Sequence, residues 1–370
     1  MAPVSEKSKG PGPQICVYCF ASMRPALFIL LLLTASGCTQ SLSRQIVQPQ
    51  NLDSPFRGTD ATPQQLSSNF VSRQLRVPVG PPGASLSVWI LDPLIINSQV
   101  TAITSNDGRV KFQLPHDPAT QPATAPYLRP PRATLFLLHG IGDHKELLPY
   151  QVYALNLRAL GFRVILVDLR GHGRSTGDFL TYGVTETHDL AQVLDALEAR
   201  NEITGRVGVI GASYGAAVAI QWAGIDPRIK AVVAISPFSS LREAAQDAAP
   251  FVLGNWKFLF SRRDIDDAVT RGAARAHFNA NDASPLAAIR KTSAPVLLIH
   301  GKKDDLLLPA NSQRLHDAAP DHSRLVLVDN GDHIRLWLTA YELIHRESVE
   351  WFRRYLMVRP SATQATSRPR

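Results

Sequence analysis

Residues Arg206 to Ala219 constrain the fold of this chain more than any other stretch: Arg-Val-Gly-Val-Ile-Gly-Ala-Ser-Tyr-Gly-Ala-Ala-Val-Ala. A short apolar run breaks at Gly211 and resumes in small, helix-favouring residues, which predicts a strand, a sharp turn and a helix. Ser213 sits between Gly211 and Gly215, a spacing that lets strand and helix approach closely while the residue between them projects its hydroxyl from a strained turn. Ser213 is therefore a candidate nucleophile. The competing reading is an ordinary serine in a tight turn, and the surrounding sequence has to decide between them.

That context is an alternation beginning at Ala133. Apolar strands are predicted at Ala133–Leu138, Arg163–Asp168, Arg206–Ile210, Ala231–Ile235, Pro295–His300 and Arg324–Val328. Helices are predicted at Lys145–Leu160, Glu186–Arg200, Asn311–Ala318 and Arg335–Tyr355. Strands that are apolar throughout, separated by helices, imply an α/β fold with a parallel sheet covered on both faces. Ser85–Leu91 and Arg109–Leu114 read as two strands of an antiparallel lead-in, joined to the main repeat by the proline-punctuated segment Pro115–Pro131. Between Pro237 and Pro285 the alternation fails, and a mostly helical insertion carries Phe251, Val252, Leu253, Trp256, Phe258, Leu259 and Phe260. It reads as a cap, whose aromatics either roof a site or form a core of their own.

The formal charge of +8 on 370 residues does not imply a nucleic-acid partner. Arg353, Arg354, Arg359, Arg368 and Arg370 lie in a tail without acids, and Lys7, Lys9 and Arg24 lie near the start, so the body is close to neutral. The cysteines are Cys16, Cys19 and Cys38, so no internal disulfide can form beyond Cys38 and stability there must come from packing. Cys16-x-x-Cys19 has no second Cys/His pair and no βαβ surroundings, which disfavours a redox or zinc reading.

Ala26–Leu33 is an apolar run too short to span a bilayer but suited to a signal peptide. Ala35-Ser-Gly-Cys38 resembles the lipobox of bacterial lipoproteins, with alanine where leucine is usual, and the resemblance implies acylation of Cys38 at the mature N-terminus. The small residues at Ala35 and Gly37 also suit ordinary signal peptidase. Residues 1–37 are thus expected to be a signal peptide, with Met23 a natural start and 1–22 an upstream extension. The expected location is the bacterial cell envelope, lipid-anchored to a membrane, or alternatively soluble after export. Residues 38–80, rich in Gln, Ser, Pro and Asn, read as a tether without assigned fold, 81–356 as the α/β domain with its cap at about 237–285, and 357–370 as a basic tail.

Serine catalysis in such a sheet needs an acid and then a histidine after later strands, because successive loops meet at one sheet edge. Asp304 follows one strand in His300-Gly-Lys-Lys-Asp304, and His333 follows the last in Gly331-Asp-His333. His333 would take the Ser213 proton while the acid holds its tautomer. His172 precedes the serine, His345 falls within a predicted helix, and His316 and His322 flank a helix end. Asp305 competes with Asp304 for the acid, whereas Asp329 and Asp332 lie too close to His333. An oxyanion would need two backbone N–H donors: Tyr214 after the nucleophile, and Ile141 in His139-Gly-Ile-Gly142, with Gly142 in reserve.

Together, His139-Gly140, Asp168-Leu-Arg-Gly-His-Gly-Arg-Ser175, Gly-Ala-Ser-Tyr-Gly215, His300-Gly-Lys-Lys-Asp304 and Gly331-Asp-His333 resemble the α/β-hydrolase family over about residues 85–356. The flavour is that of its monoacylglycerol-lipase and serine-aminopeptidase-like branch. The resemblance implies a mostly parallel eight-stranded sheet, no metal or cofactor, and packing roles for Arg170, His172 and Arg174. Pro309 comes one residue later than the family spacing after the acid. The expected activity is hydrolysis of carboxylic esters, with thioesters or amides also within reach, on a small-molecule acyl substrate. An acyltransferase and a non-catalytic surface-tethered binding module are the alternatives, and serine at position 213 argues against dehalogenation.

Overall fold

The structure, a computed structural model, describes residues 35–55, 57–59, 71–93, 101–104, 110–113 and 131–357. Along the chain these form α1 (Ala35–Val47), β1 (Arg73–Val79), β2 (Ala84–Leu91), β3 (Thr101–Thr104), β4 (Val110–Gln113), β5 (Thr134–Leu138), α2 (Leu148–Ala159), β6 (Arg163–Val167) and α3 (Glu186–Glu198). There follow β7 (Val207–Ala212), α4 (Tyr214–Ile225), β8 (Ile229–Ile235), α5 (Leu241–Leu253), a 3-10 helix over Gly254–Leu259, α6 (Arg262–Arg275) and α7 (Pro285–Ile289). The chain closes with β9 (Val296–Gly301), α8 (Ala310–Ala318), β10 (Ser323–Val328), α9 (Leu336–Thr339) and α10 (Tyr341–Leu356). Residues 1–34 and 358–370, and with them most of the expected signal peptide and basic tail, lie outside the described residues, as does the side chain of Cys38.

The main sheet has eight strands in the order β1-β2-β6-β5-β7-β8-β9-β10. From β6 to β10 every pairing is parallel, and β2 joins β6 antiparallel. Side chains alternate across β5, so Phe136 and Leu138 face one layer of helices while Leu135 and Leu137 face the other. Phe136 meets Trp222 of α4 edge-to-face at 5.0 Å, among Leu190, Leu194 and Val218. On the opposite face Leu135 packs with Leu157, Ile344 and Phe352. Burial on both faces explains why these strands read as continuous apolar runs rather than alternating ones.

Two expectations need correction. The antiparallel partner of β2 is β1, with Arg73 opposite Ile90 and Val79 opposite Ala84, not the strand near Arg109. That strand, β4, instead pairs with β3 in a separate two-stranded ladder. Secondly, much of the stretch read as a tether is folded. Val47 is buried, the Leu180 amide donates to Val47 O at 3.0 Å, and Asn51 Nδ2 donates to Gly173 O and Ser175 O at 2.9 and 2.7 Å. β1 escaped notice because its arginines and glutamine break any apolar pattern, yet these find partners in the fold. Arg73 pairs with Asp92 and Glu202, and Arg76 donates to Arg174 O at 2.7 Å.

Between β8 and β9 the inserted helices have a core of small residues, with Leu241, Val269, Ala273, Ala280 and Ala283 packed together. Of the two readings of the aromatic run, inward packing fails for several members: Phe258 is 80% exposed, and Phe251, Trp256 and Leu259 are also exposed. Among the described residues no helix is long and apolar enough to cross a membrane.

Candidate active site

Ser213 connects β7 to α4 with φ +50° and ψ −111°, a backbone conformation that costs a non-glycine residue of order 1–3 kcal/mol. The turn is held by the Ser213 amide, which donates to Ile235 O at 2.7 Å on neighbouring β8. The two glycines permit it sterically. A Cβ on Gly211 would lie 2.3 Å from Gly215 O, and one on Gly215 would lie 2.5 Å from His139 O. The close approach of strand, helix and preceding loop thus excludes any side chain at either position, leaving the serine hydroxyl to project between them.

His333 is carried by the loop between β10 and α9, where Asp332 Oδ1 accepts from the amides of Ile334 and Arg335 at 3.1 and 2.8 Å and closes the turn. This loop sets His333 Nε2 2.9 Å from Ser213 Oγ and Nδ1 2.7 Å from Asp304 Oδ2. Asp304 follows β9 and is buried, while Asp305 is exposed. The Asp304 carboxylate also accepts from the amides of Leu306 and Leu307 at 3.2 and 2.8 Å through Oδ1. Burial alone would raise its pKa, but hydrogen bonds from His300, His333 and the Leu307 amide hold it well below the usual carboxylate range. The aspartate is thus ionised at neutral pH.

Sequence candidates outside this line have other surroundings. His172 is fully buried and holds Arg170 O at 2.8 Å through Nδ1, and Arg170 itself forms a bidentate pair with Asp189 at 2.8 and 2.7 Å. Arg174 pairs with Glu146. Asp168 is fully buried against Lys145 Nζ at 2.5 Å; burial opposes its ionisation, but that ammonium keeps its pKa below the ordinary value. These groups brace the loop after β6 and form no part of the serine, histidine and aspartate line.

The loop after β5 is pinned by His139. Its Nε2 accepts from the Leu169 amide at 3.0 Å, so Nδ1 carries the proton and donates to Gly140 O at 2.8 Å. Burial, reinforced by neighbouring His172, drives the His139 pKa down to about 3 and keeps this tautomer neutral. With the Gly140 carbonyl held on one side, the N–H of the same trans peptide, that of Ile141, points the other way. Gly140 lies against the nucleophile, since a Cβ there would be 3.7 Å from Ser213 Cβ. Its amide donates to Tyr150 Oη at 3.0 Å, and that hydroxyl donates to Asp143 Oδ2 at 2.7 Å. Tyr150 and Asp143 were not singled out from the sequence, because residues lying beyond a glycine turn carry no local signal. Tyr214 opens α4, where the first amides have no intrahelical partner. Among the described residues no cluster of three or more His, Cys, Asp or Glu could hold a metal ion.

The sheet order and the serine turn define the class, and the sequence matches the Alpha/beta hydrolase family over residues 135–346. The chain belongs to that family. Among its relatives, the uncharacterized protein YqkD of Bacillus subtilis (strain 168) is 30% identical over 223 residues, covering 59% of this chain and 70% of that protein. A monoacylglycerol lipase of Mycolicibacterium smegmatis is 28% identical over 214 residues, covering 50% of this chain and 75% of the lipase. Among solved structures, the esterase Pf2001 of Pyrococcus furiosus superposes with a TM-score of 0.56 at 20% identity, covering 80% of this chain and 97% of the esterase. At that identity the likeness is one of fold.

Proposed function

We propose that this chain is a serine hydrolase that cleaves carboxylic esters through an acyl-enzyme. The observation that carries the proposal is the hydrogen-bonded line of Ser213 Oγ, His333 Nε2 at 2.9 Å, and Asp304 Oδ2 at 2.7 Å from His333 Nδ1. In this reading Ser213 Oγ attacks the ester carbonyl as its proton passes to His333 Nε2, and Asp304 stabilises the imidazolium without taking the proton. The oxyanion is met by the amides of Tyr214 and Ile141. His333 then returns the proton to the departing alkoxide, and water attacks the acyl-serine by the same route to release the acid. A carboxylic ester is favoured as substrate because a relative is named monoacylglycerol lipase.

The test is a p-nitrophenyl ester series of increasing acyl length, run on the wild type and on Ser213→Ala. The substitution is expected to lower kcat by about 10⁶, the scale on which a nucleophile of this kind acts, with the fold intact. Hydrolysis retained within tenfold would exclude Ser213. We further propose that the chain is exported and anchored through acylated Cys38, on the strength of the apolar run Ala26–Leu33 and the small residues before the cysteine. Wild type is expected in the membrane fraction and Cys38→Ala in the soluble one; equal release of both would leave simple secretion.

A further inference from the structure

A second histidine lies against the acid. His300, in β9, is fully buried, and both its ring nitrogens have partners. Nδ1 is 2.7 Å from Ser312 Oγ, while Nε2 lies 2.8 Å from Leu307 O and 3.1 Å from Asp304 Oδ2. A carbonyl and a carboxylate can only accept, so the proton resides on Nε2 and is shared between them. The lone pair of Nδ1 then accepts from the hydroxyl of Ser312, a fully buried residue of α8, which locks the tautomer.

Resting on the serine-hydrolase reading above, we infer that His300 is a positioning residue that aims the Asp304 carboxylate at His333 and tempers its pull on that ring. The aiming follows from the number of bonds. The Leu306 and Leu307 amides hold Oδ1, and the two imidazole N–H groups converge on Oδ2, so the carboxylate cannot rotate about χ2 without breaking several contacts. The tempering follows from His300 and His333 donating to the same oxygen. Electron density drawn toward the His300 proton is withdrawn from the bond to His333 Nδ1, so the carboxylate stabilises the imidazolium less than it would alone.

Other ionisable groups around the pair are engaged elsewhere or lie in solvent. Asp247 of α5 accepts from the Leu308 amide and from Asn311 Nδ2, and Arg314 of α8 reaches Ser239, Asn311 and Glu243. Lys302 pairs with Asp329, and Lys303 and Asp305 are exposed. His316 of α8 bonds Ser323, and Asp143 accepts from Tyr150. Substitution at 300 therefore reaches the site through Asp304, directly at Oδ2 and by way of Leu307, whose carbonyl lies against His300 and whose amide holds Oδ1.

The test compares His300→Asn with His300→Gln in the full chain. A glutamine amide reaches the position of Nε2 and can still donate to Asp304, whereas an asparagine amide reaches only that of Nδ1. His300→Asn is expected to lower kcat on p-nitrophenyl esters by about ten- to a hundredfold, the cost of a slightly misplaced group. It is also expected to move the acid limb of the kcat/KM profile to higher pH by at least about 0.5 unit, because the freed carboxylate stabilises the imidazolium more. His300→Gln should restore the limb and most of kcat. A limb unmoved or displaced to lower pH in a folded His300→Asn protein, or the same loss in both variants, overturns the proposal. ¹⁵N NMR titration of the His333 ring in these variants reads the same shift without turnover. If wild type fails to hydrolyse esters, the functional reading falls while the role of His300 is still judged by that titration. If neither variant folds, ¹⁵N NMR of the unaltered protein decides: Nε2 of His300 must be protonated and Nδ1 bare, and the reverse tautomer overturns the proposal.

Discussion

Asp304 and Asp305 are adjacent and chemically identical, yet only one lies against His333. The end of β9 at Gly301 sets the register of the loop, and the Leu306 and Leu307 amides fold back onto the Asp304 carboxylate while Asp305 faces solvent. Pro309 itself stands at the N-cap of α8. Asp304→Asn is accordingly expected to lower kcat by about 10³ to 10⁴, roughly 4 to 5.5 kcal/mol, by favouring the wrong imidazole tautomer. Asp305→Asn should stay within about tenfold, as befits a charge without contact to the ring. Steady-state kinetics of the two proteins on one p-nitrophenyl ester decides, and the reverse order would move the role to Asp305. The serine turn was readable because glycine at two positions is a steric requirement, visible as residue type. The clasp of His300 on Asp304 was not, since a separation of four positions in sequence says nothing of whether two side chains curl toward one another at a strand end.

At the scale of elements, the arm before β1 is the part that composition misrepresented. Its polar composition reads as solvated, yet the Asn51 side chain, the Gln50 amide and the Val47 carbonyl bond the loop after β6, and Ile46 O accepts from Tyr182 Oη at 2.6 Å. The arm also crosses α6 so closely that a Cβ on Gly272 would lie 2.8 Å from Ser43 O. Gly272→Leu, on a buried face of α6, is therefore expected to displace the arm and make limited proteolysis between residues 44 and 60 at least tenfold faster, while α6 itself, gaining a better helix former, persists. Unchanged cleavage would show that the arm is not held there. On α4, Trp222 is fully buried with its ring against Phe136. Trp222→Ala should cost about 3–5 kcal/mol in chemical denaturation, the range for emptying a large core site. A cost below about 1 kcal/mol would mean that the α4 interface is not the packed core described.

Over the whole molecule, half of the net charge of +8 sits outside the described residues, and one internal ion pair matters more to stability. Lys145 Nζ lies 2.5 Å from Asp168 Oδ2 and 2.9 Å from Ser87 Oγ, beneath Trp89. Removing one partner leaves the other charged and buried, so Lys145→Met is expected to destabilise the protein by about 3–5 kcal/mol at pH 7. The pH dependence has a definite sign. In the wild type the folded-state pKa of Asp168 lies below its unfolded value of about 3.9, so this carboxylate contributes stability above that pH and loses it as the folded state is acidified. In the variant, burial without the ammonium raises that folded pKa, so Asp168 takes up its proton at higher pH. The deficit of the variant should shrink as the pH falls from 7 toward 4, which urea denaturation at several pH values measures; a constant deficit would remove Asp168 from the account.

The sequence by itself determined what depends on local chemistry and periodicity: the apolar strands of the parallel sheet, the helices between them, the glycine-flanked serine turn, and the chain order of Ser213, Asp304 and His333. Each is set by residue type within a few positions, because strand and helix periods and steric limits at glycine act over short range. Only the tertiary structure decided the partner of β2, the docking of the arm, the exposure of the cap aromatics and the approach of His300 to Asp304. These are contacts between residues distant in the chain or across a loop, where polar groups that look solvated in sequence are satisfied by carbonyls and carboxylates brought to them by folding.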